Sequence, residues 1–294
     1  GLVYLAGILI EKSTSQGDSL YDANQHAWMI IMAILSAVMV LLGIYHIFML
    51  PSGGKRAAAE VHRTGKQVMV ELGEVLIDFF RKRHIVYYIC FIILYRFAEG
   101  FVMKIVPLFL KTEREMGGLG LSEKEIGLYY GSYGAAAFVL GSLLAGYYIS
   151  SRGLKKTLFT LCGIFNLPFL VYTLFAIFQP TNGLLICSGI IFEYFGYGFG
   201  FVGLTLFMMQ QIAPGKHQMA HYAFASGIMN LGVMIPGMLS GWVCELFEEW
   251  FNKPSGYEPF FIFVLIATIP AFLITYFVPF KYNQDGTLIE GEKE

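Results

Sequence analysis

Charged residues are scarce in this sequence. Lysine, arginine, aspartate and glutamate make up 14% of its 294 residues, whereas a soluble globular domain carries about 25%. Hydrophobic residues make up 56% and aromatic residues 16%, so the chain is too apolar to be disordered and too poorly charged to cover a water-exposed surface. No basic stripe is present, which excludes nucleic acid as a partner. The composition therefore indicates a protein whose partner is the lipid bilayer.

Cysteine and nucleotide-binding motifs are also scarce. The sequence has four cysteines and no C-x-x-C pair, which argues against a disulfide framework or a zinc site and predicts packing roles. Ser52-Gly-Gly-Lys55 lacks the spacing of a phosphate-binding P-loop, and no nucleophile–base pair or metal-ligand constellation is visible. We therefore expect neither an enzyme nor a metal or organic cofactor, and we expect a proton gradient rather than ATP as the energy source.

Long apolar runs recur along the chain. A helix needs about 20 residues to cross a hydrocarbon core of ~30 Å. The predicted fold class is an all-α, polytopic transmembrane helical bundle. Its predicted spans are a partial one at 1–10 and full ones near 27–50, 85–110, 125–149, 156–178, 183–211, 219–247 and 259–280.

The connection at 51–84 is longer than the others. Its second part has apolar residues at helical spacing and a basic end, which predicts an amphipathic helix on the membrane surface. Many secondary transporters consist of two six-helix halves joined by such a loop. We therefore expect the end of an N-terminal bundle at 1–50, a cytoplasmic linker at 51–84, a C-terminal six-helix bundle at 85–280 and a cytoplasmic tail at 281–294. The matching N-terminal half is expected to be missing, because the chain starts without Met inside an apolar run.

Basic residues are distributed unevenly between the two sides of the predicted bundle. If 51–84 is cytoplasmic, that side carries thirteen lysines and arginines and the opposite side carries five. Cytoplasmic loops carry the excess of positive charge, so the C-terminus is predicted to be cytoplasmic. The thirteen are Lys55, Arg56, Arg63, Lys66, Arg81, Lys82, Arg83, Arg152, Lys155, Lys156, Lys216, Lys281 and Lys293, and the five are Lys12, Lys111, Arg114, Lys124 and Lys253.

Four charged side chains lie well inside predicted spans, at least five residues from either end. Arg96, Glu99 and Lys104 share one span, and Glu193 lies in another. Arg96 and Glu99 are three residues apart and therefore share a helical face, with Lys104 about 80° from Arg96. A charge at the bilayer centre costs at least ~2.5 kcal/mol, so such side chains normally face a bundle interior or a cavity.

These residues have a functional and a structural interpretation. In the functional one, Glu99 or Glu193 carries a proton, and Arg96 or Lys104 binds carboxylates of the substrate or senses the proton through pairing. In the structural one, Arg96 and Glu99 form a static ion pair and Lys104 extends its long side chain to the outer interface. Glu193 has no basic residue in its own span, which favours a functional role for it.

An aromatic and glycine-rich run surrounds Glu193. It reads Phe192-Glu-Tyr-Phe-Gly-Tyr-Gly-Phe-Gly-Phe201, and its glycines are expected to weaken or kink the helix. Either Tyr194 and its neighbours stack against a sugar at an unwound segment, or the run is ordinary packing between spans. Asn230 likewise either donates hydrogen bonds to a glycan or amide, or bonds to another helix.

The hairpin at 125–157 resembles the major facilitator superfamily. It carries Gly141 and ends Ser150-Ser-Arg-Gly-Leu-Lys-Lys-Thr157, whereas the loop between the second and third helices of each half in that superfamily usually reads G-x-x-x-D-R-x-G-R-[KR]. The acidic residue of the motif is missing here. The resemblance implies that the hairpin takes part in the conformational change. The loop residues at or beside the matching positions are Arg152, Gly153, Lys155 and Lys156.

Two longer segments resemble the AmpG-type permeases, the muropeptide carriers of the peptide–acetyl-coenzyme-A transporter family. The resemblance covers about 85–280 and implies proton-coupled import of anhydro-muropeptides, by alternating access, across a bacterial inner membrane for peptidoglycan recycling. The segments are Arg96-Phe-Ala-Glu-Gly-Phe-Val-Met-Lys-Ile-Val-Pro-Leu-Phe-Leu110 and Met219-Ala-His-Tyr-Ala-Phe-Ala-Ser-Gly-Ile-Met-Asn-Leu-Gly-Val-Met-Ile-Pro-Gly-Met-Leu-Ser-Gly-Trp-Val243.

Other functions remain open at this level. The same fold could carry a sugar, a nucleoside or an acyl-CoA as its small-molecule solute. An intramembrane acyltransferase would need a His/Asp or His/Glu pair at one interface, and His217 and His221 have no acidic neighbour in their own loop. A membrane signalling subunit would use the 51–84 segment to dock a soluble partner.

Overall fold

The computed structural model describes residues 2–49, 65–253, 255–283 and 287–289. Within these ranges the chain forms helices and no strand, apart from an isolated antiparallel bridge between Tyr282 and Leu288. The first part of the expected linker, 51–64, and the end of the expected tail, 290–294, lie outside the described residues.

The helices of the described ranges are numbered in chain order. They are α1 (Leu2–Ser15), α2 (Leu20–Met49), α3 (Gly65–Arg81), α4 (Ile85–Tyr95), α5 (Phe97–Lys111), α6 (Glu123–Arg152), α7 (Leu154–Phe178), α8 (Gly183–Ile212), α9 (Gln218–Phe251) and α10 (Tyr257–Tyr276). A 3₁₀ turn at Arg114–Met116 lies between α5 and α6.

Four of these helices change their hydrogen-bonding pattern along their length. In α6 a π-helical segment, Gly127–Tyr133, separates Glu123–Ile126 from Gly134–Arg152, and α8 ends in a second π-helical segment, Met208–Ile212. Such segments are rare and frequently occur at functional sites. The other two changes accompany prolines: a 3₁₀ turn at Leu167–Phe169 within α7, and a break at Thr268 between Tyr257–Ala267 and Ile269–Tyr276 in α10.

Six helices within the described residues are long and apolar enough to cross a membrane, namely α2, α6, α7, α8, α9 and α10. The chain is therefore an all-α polytopic bundle, as the sequence predicts. The span predicted near 85–110 is divided by Arg96, which has φ −105° and ψ 5°, into the consecutive helices α4 and α5. The backbone turns at the residue whose side chain pairs with Glu99, and Gly100 N–H already bonds to Arg96 O at 3.1 Å.

The helices alternate in direction, so their connections gather at two ends of the bundle. At one end Lys82 Nζ donates to Pro214 O at 2.6 Å, and at the other Arg114 Nη2 donates to Pro180 O at 2.9 Å. We call the first the basic end, because it contains the basic turns that follow α3, α6 and α8 and the segment that follows α10. The other is the opposite end.

Two hydrophobic clusters fill the bundle from α4 to α10. One occupies the half towards the basic end and includes Phe91 and Phe207, whose ring centroids are 4.5 Å apart. The other occupies the half towards the opposite end and includes Phe109 and Phe261, 5.0 Å apart. Both clusters contain residues of α7, α8 and the α4–α5 pair. The layer between them is where the bundle accommodates buried charge.

The first two helices make fewer contacts. Helix α1 packs against α2 and against the start of α6, where Gly127 approaches Tyr4 so closely that an added Cβ would lie 2.3 Å from its nitrogen. Helix α2 buries Ala23, Ala27 and Ile31, and most of its remaining apolar surface faces outwards. Such a surface is what a helix presents to lipid or to further helices.

Candidate functional site

Three charged side chains occupy the layer between the two hydrophobic clusters. Arg96 stands at the junction of α4 and α5, Glu99 follows in the first turn of α5, and Glu193 lies in the middle of α8. Their residue exposures are 5%, 3% and 8%, so all three are buried. Burial of charge without partners is strongly unfavourable, and the partners of each group therefore determine what it can do.

Arg96 is fully engaged in a fork-shaped contact with Glu99. Arg96 Nε donates to Glu99 Oε2 and Arg96 Nη2 to Glu99 Oε1, both at 2.5 Å. The guanidinium also lies 3.5 Å from the Tyr197 hydroxyl and 5.3 Å from the Phe201 ring centroid on α8. Two parallel charge-assisted bonds and a cation–π contact hold this guanidinium firmly. The pair thereby links the α4–α5 junction to α8.

Glu193 has a different environment. Its Oε2 accepts a hydrogen bond from the Tyr172 hydroxyl of α7 at 3.0 Å. No lysine or arginine among the described residues forms an ion pair with it. Glu193 is thus a buried carboxyl group without a permanent positive partner, in contrast to Glu99.

Both carboxyl groups face the same small cavity. The cavity has a volume of about 40 Å³, which is room for a water molecule or two but not for a sugar. Its apolar wall is Val102 and Met103 of α5, and its polar wall consists of Glu99, Tyr130, Glu193, Tyr194 and Tyr197. A cavity with several hydroxyl and carboxyl groups at bonding distance from water can hold ordered water between Glu99 and Glu193.

Three tyrosines form one side of this cavity. The Tyr130 and Tyr194 rings meet edge to face with centroids 4.8 Å apart, and Tyr194 and Tyr197 lie 6.4 Å apart. Tyr130 belongs to the π-helical segment of α6, so the irregular turn supplies a residue of the site. The sequence prediction named Tyr194 but missed Tyr130, Tyr172 and Tyr197 as site residues. Tyr197 lies in the aromatic and glycine-rich run, four residues after Glu193 in the same helix, and that spacing could have identified it. No local pattern marks Tyr130 or Tyr172, because their relation to Glu193 depends on how α6 and α7 pack against α8.

Lys104 and Asn230 do not reach the cavity. Both side chains are exposed, Lys104 on α5 and Asn230 on α9. Lys104 lies along Gly237, whose added Cβ would be 3.3 Å from Lys104 Cγ. These two predicted residues therefore lie apart from the Arg96–Glu99–Glu193 layer, on the surface that α5 and α9 share.

The glycine-rich run of α8 is helical throughout. The unwound segment considered for this run is not found, because Gly183–Phe207 is one continuous α-helix. The glycines serve close packing instead: an added Cβ on Gly196 would lie 2.4 Å from Ile164 O, and one on Gly198 would lie 2.1 Å from Phe138 O. Absence of side chains at these positions allows α8 to contact α7 and α6 at backbone distance.

The residues of the predicted loop motif have distinct surroundings. Gly141 packs under α8, where an added Cβ would lie 2.3 Å from Phe195 O. Gly153 has φ +83° and ends α6, a conformation that L side chains rarely adopt. The Arg152 guanidinium lies 5.1 Å from the Tyr148 ring centroid, and Lys155 and Lys156 are exposed in the first turn of α7.

An acidic neighbour of His217 is present, although its own loop contains none. Asp78 of α3 places its Oδ2 3.6 Å from His217 Nε2, and His221 Nε2 lies 3.3 Å from Val75 O. The two histidines thus dock α3 onto the start of α9. A separation of 3.6 Å exceeds hydrogen-bond range, so this contact lacks the close base–orienter geometry of a catalytic pair. Among the described residues, no group of three His, Cys, Asp or Glu side chains is arranged to hold a metal ion.

The described residues thus form a multi-pass helical bundle with a buried ion pair and a buried carboxyl group that has no cationic partner among them, a combination that is common in membrane transport proteins. Comparison with known proteins gives the type within that class: the chain is similar to AmpG-type permeases. No protein-family model matches the chain.

The similarity extends over about two thirds of the chain. It is 25% identical over 191 residues to a protein of Rickettsia felis named putative transporter AmpG 1, covering 65% of this chain and 40% of that protein. It is 24% identical over 201 residues to the protein of the same name in Rickettsia bellii, covering 68% and 45%. It is 22% identical over 199 residues to the anhydromuropeptide permease of Escherichia coli K12, covering 67% and 37%. The aligned part is thus less than half the length of each relative.

Proposed function

We propose that this chain is the C-terminal part of a secondary transporter that imports anhydro-muropeptides together with protons by alternating access. The proposal rests on the AmpG and anhydromuropeptide permease names of its relatives and on the buried charged layer of the bundle. The observation that carries the coupling is the contrast between Glu99, which a guanidinium holds at 2.5 Å, and Glu193, whose carboxyl group is hydrogen-bonded to a tyrosine hydroxyl and has no cationic partner among the described residues.

In this proposal Glu193 carries the proton. Intramembrane carboxyl groups in pumps and transporters commonly act as proton carriers. Glu193 is buried, faces a cavity with room for water and shares that cavity with Glu99. Loss of its proton would place a second negative charge beside the neutral Arg96–Glu99 pair. The Arg96–Glu99 pair would then rearrange. Because Arg96 also contacts α8, this rearrangement would act on the helices that move during alternating access.

The substrate would bind outside this small cavity. A disaccharide-peptide needs several hundred Å³, and the space beside Glu99 and Glu193 is about 40 Å³. We propose that Lys104 and Asn230, which are exposed on α5 and α9, contact the carboxylates and the amide or hydroxyl groups of the substrate between this bundle and an N-terminal half. Tyr194 would lie at the base of that space, next to the proton-carrying group.

The orientation follows from the distribution of charge. We propose that the basic end is cytoplasmic and that the protein lies in a bacterial inner membrane, with 1–50 as the end of an N-terminal bundle, 51–84 as a cytoplasmic linker, 85–280 as the C-terminal bundle and 281–294 as a cytoplasmic tail. The loop from Arg152 to Lys156 would then act at the cytoplasmic gate, and Gly141 would act inside the bundle, where it packs under α8. The direction of a natural proton gradient is consistent with import in this orientation.

The test is uptake by proteoliposomes that contain the full-length protein. Labelled GlcNAc-anhydroMurNAc should accumulate when an inward proton gradient is imposed and should stop accumulating when a protonophore collapses it. Glu193→Gln should abolish accumulation but retain exchange of labelled for unlabelled solute, because the amide keeps the shape and the hydrogen bond but cannot carry the proton.

Two matched variants separate the proton role from packing. Tyr172→Phe removes the 3.0 Å hydrogen bond but keeps the carboxyl group, so accumulation should persist. Glu248→Gln removes an exposed carboxylate from the opposite end and should behave as the unmodified protein. Accumulation by Glu193→Gln at the unmodified rate would refute the assignment of the proton to Glu193, and gradient-independent uptake by the unmodified protein would refute proton coupling itself.

A further inference from the structure

A second and larger cavity lies at the basic end of the bundle, away from the charged layer. Its volume is about 410 Å³, and it opens where the end of α3, the turn after α8 and the segment after α10 meet. One carboxylate, Asp78, contributes to its wall. Its basic residues are Arg81, Lys82, Arg83, Lys216 and Lys281. The cavity is therefore strongly positive, and its lining comes from parts of the chain that are far apart in sequence.

Lys281 is the most deeply placed of these basic residues. It is 6% exposed, and its backbone N–H donates to Gln211 Oε1 at 2.8 Å. The same amide holds the next residue from both sides, since Oε1 accepts from Tyr282 N–H at 3.0 Å and Nε2 donates to Tyr282 O at 2.9 Å. The Lys281 ammonium lies 5.2 Å from the Tyr282 ring centroid and has no carboxylate partner among the described residues. The backbone of Lys281 is thus fixed, whereas its ammonium makes no hydrogen bond to the described residues and has its donors left for a ligand.

Lys82 contributes charge rather than free donors. Its Nζ donates to Ile212 O at 2.5 Å and Pro214 O at 2.6 Å, so it caps the end of α8. Burial and then the charge of Lys281 lower the pKa of Lys82 to about 8, while Asp78 acts in the opposite direction. Two ammonium groups thus repel each other within one partly buried cavity, and an anion between them would relieve the repulsion.

We propose that this cavity is a binding site for a phosphoryl anion, supplied by the headgroup of an anionic phospholipid or by free phosphate. Basic pockets at the cytoplasmic side of membrane helices bind such headgroups, and the cavity is large enough for a glycerophosphate. Helix α3 exposes Leu76, Ile77 and Phe80, at 42%, 52% and 60%, close to the cavity. Acyl chains would lie against these side chains when the headgroup occupies the cavity.

The experiment measures binding to the full-length protein in detergent by native mass spectrometry. The probes are dioctanoyl-phosphatidylglycerol, dioctanoyl-phosphatidylcholine and inorganic phosphate. Phosphatidylglycerol should bind about tenfold or more tightly than phosphatidylcholine, and Lys281→Gln should weaken its binding by about tenfold, which corresponds to loss of one charge-assisted contact at about 1.4 kcal/mol. Lys281→Arg should restore most of it.

Lys66→Gln is the control. Lys66 is an exposed lysine of α3, the helix whose end lines the cavity, but Lys66 itself does not line it. It should change phosphatidylglycerol binding less than twofold. If millimolar phosphate competes with phosphatidylglycerol, the site also binds the free anion. If phosphatidylglycerol binds tightly and phosphate does not compete, the site is specific for the lipid headgroup. Equal binding of the two lipids together with no phosphate binding would overturn the proposal, as would equal losses in Lys281→Gln and Lys66→Gln.

Discussion

At the scale of single residues, the bundle treats its two buried carboxyl groups differently. Glu99 is held by Arg96 through two hydrogen bonds, whereas Glu193 accepts a hydrogen bond from Tyr172 and faces the small cavity. A paired carboxylate stabilises a particular packing of helices, whereas an unpaired one can change its charge without breaking an ion pair. Two glutamates in apolar segments therefore have different roles, and the neighbouring side chains decide which role each has.

Removing the charge of one partner of the Arg96–Glu99 pair should lower the stability of the protein strongly. Glu99→Gln leaves a buried guanidinium without its counter-ion and should destabilise the protein by about 3–5 kcal/mol, seen as a lower thermal unfolding midpoint in detergent. The double variant Arg96→Leu, Glu99→Leu should recover part of that loss. The exposed pair Lys111–Glu123 is the control, and Glu123→Gln should cost less than about 1 kcal/mol. Equal effects of Glu99→Gln and Glu123→Gln would contradict the importance of burial.

Binding at the basic end should depend on the charge of Lys82. Because the pKa of Lys82 is about 8, its side chain is charged at pH 7 and mostly neutral at pH 9. Affinity for dioctanoyl-phosphatidylglycerol, whose own charge is constant here, should therefore fall as pH rises from 7 to 9. Lys82→Arg keeps its charge over this range and should give a flat profile. The charged and titratable groups around Lys82 are Asp78, Arg81, Arg83, Lys216, His217, His221 and Lys281.

A matching pH profile in Lys82→Arg and in the unmodified protein would assign the dependence to one of those other groups.

At the scale of helices, backbone contact between α6 and α8 organises the centre of the bundle. Gly141 lies against Phe195 O, Gly198 lies against Phe138 O, and Ser142 Oγ is 3.2 Å from Gly198 O. In lipid, helices gain little from burying apolar surface against each other, so close contact of this kind is a main source of association. It also brings Tyr130 of the π-helical segment to the ring of Tyr194.

Gly198→Ala should disturb this contact. Its added Cβ would lie 2.1 Å from Phe138 O, so the helices must separate, and we expect a loss of stability of about 1–3 kcal/mol, seen as a lower unfolding midpoint. Gly146→Ala is the control on α6, because an added Cβ there has nothing within 4 Å. That control should be neutral or slightly stabilising, because alanine has a higher helix propensity than glycine. A stable Gly198→Ala protein would show that α6 and α8 can move apart freely.

At the scale of the whole molecule, a polar layer separates two hydrophobic clusters, and a basic cavity lies at one end of the bundle. The layer joins the α4–α5 junction, α7 and α8 through side chains, so a change of charge there acts on three helices together. The exposed positions Lys104 and Asn230 lie outside this layer, on α5 and α9. In the proposed function a second bundle would complete a larger substrate site there, and this chain would supply one wall of it.

We therefore expect the 294-residue chain alone to give no gradient-driven uptake of GlcNAc-anhydroMurNAc in proteoliposomes, whereas the full-length protein accumulates it. A cooperative thermal unfolding transition of the chain in detergent would show that inactivity does not come from misfolding. Accumulation by the folded 294-residue chain would contradict the view that a second half supplies the facing wall.

The amino-acid sequence by itself determined the all-α polytopic class and the approximate limits of most of the long apolar helices, and it marked Arg96, Glu99 and Glu193 as charged residues in apolar surroundings. Those features depend on local composition, since about 20 consecutive apolar residues form a helix in a bilayer regardless of what surrounds it. The sequence did not give the number of spans, because seven full spans were predicted and six helices of the described residues are long and apolar enough to cross a membrane. Only the tertiary structure decided that Glu99 is paired and Glu193 is not, that Tyr130 and Tyr172 complete the site, and that Lys82 and Lys281 share a cavity. The reason is physical. A span that is apolar on nearly all sides has no polar face from which its rotation about its own axis could be predicted. The partners of each polar side chain are therefore set only when glycines, tyrosines and prolines of different helices pack together.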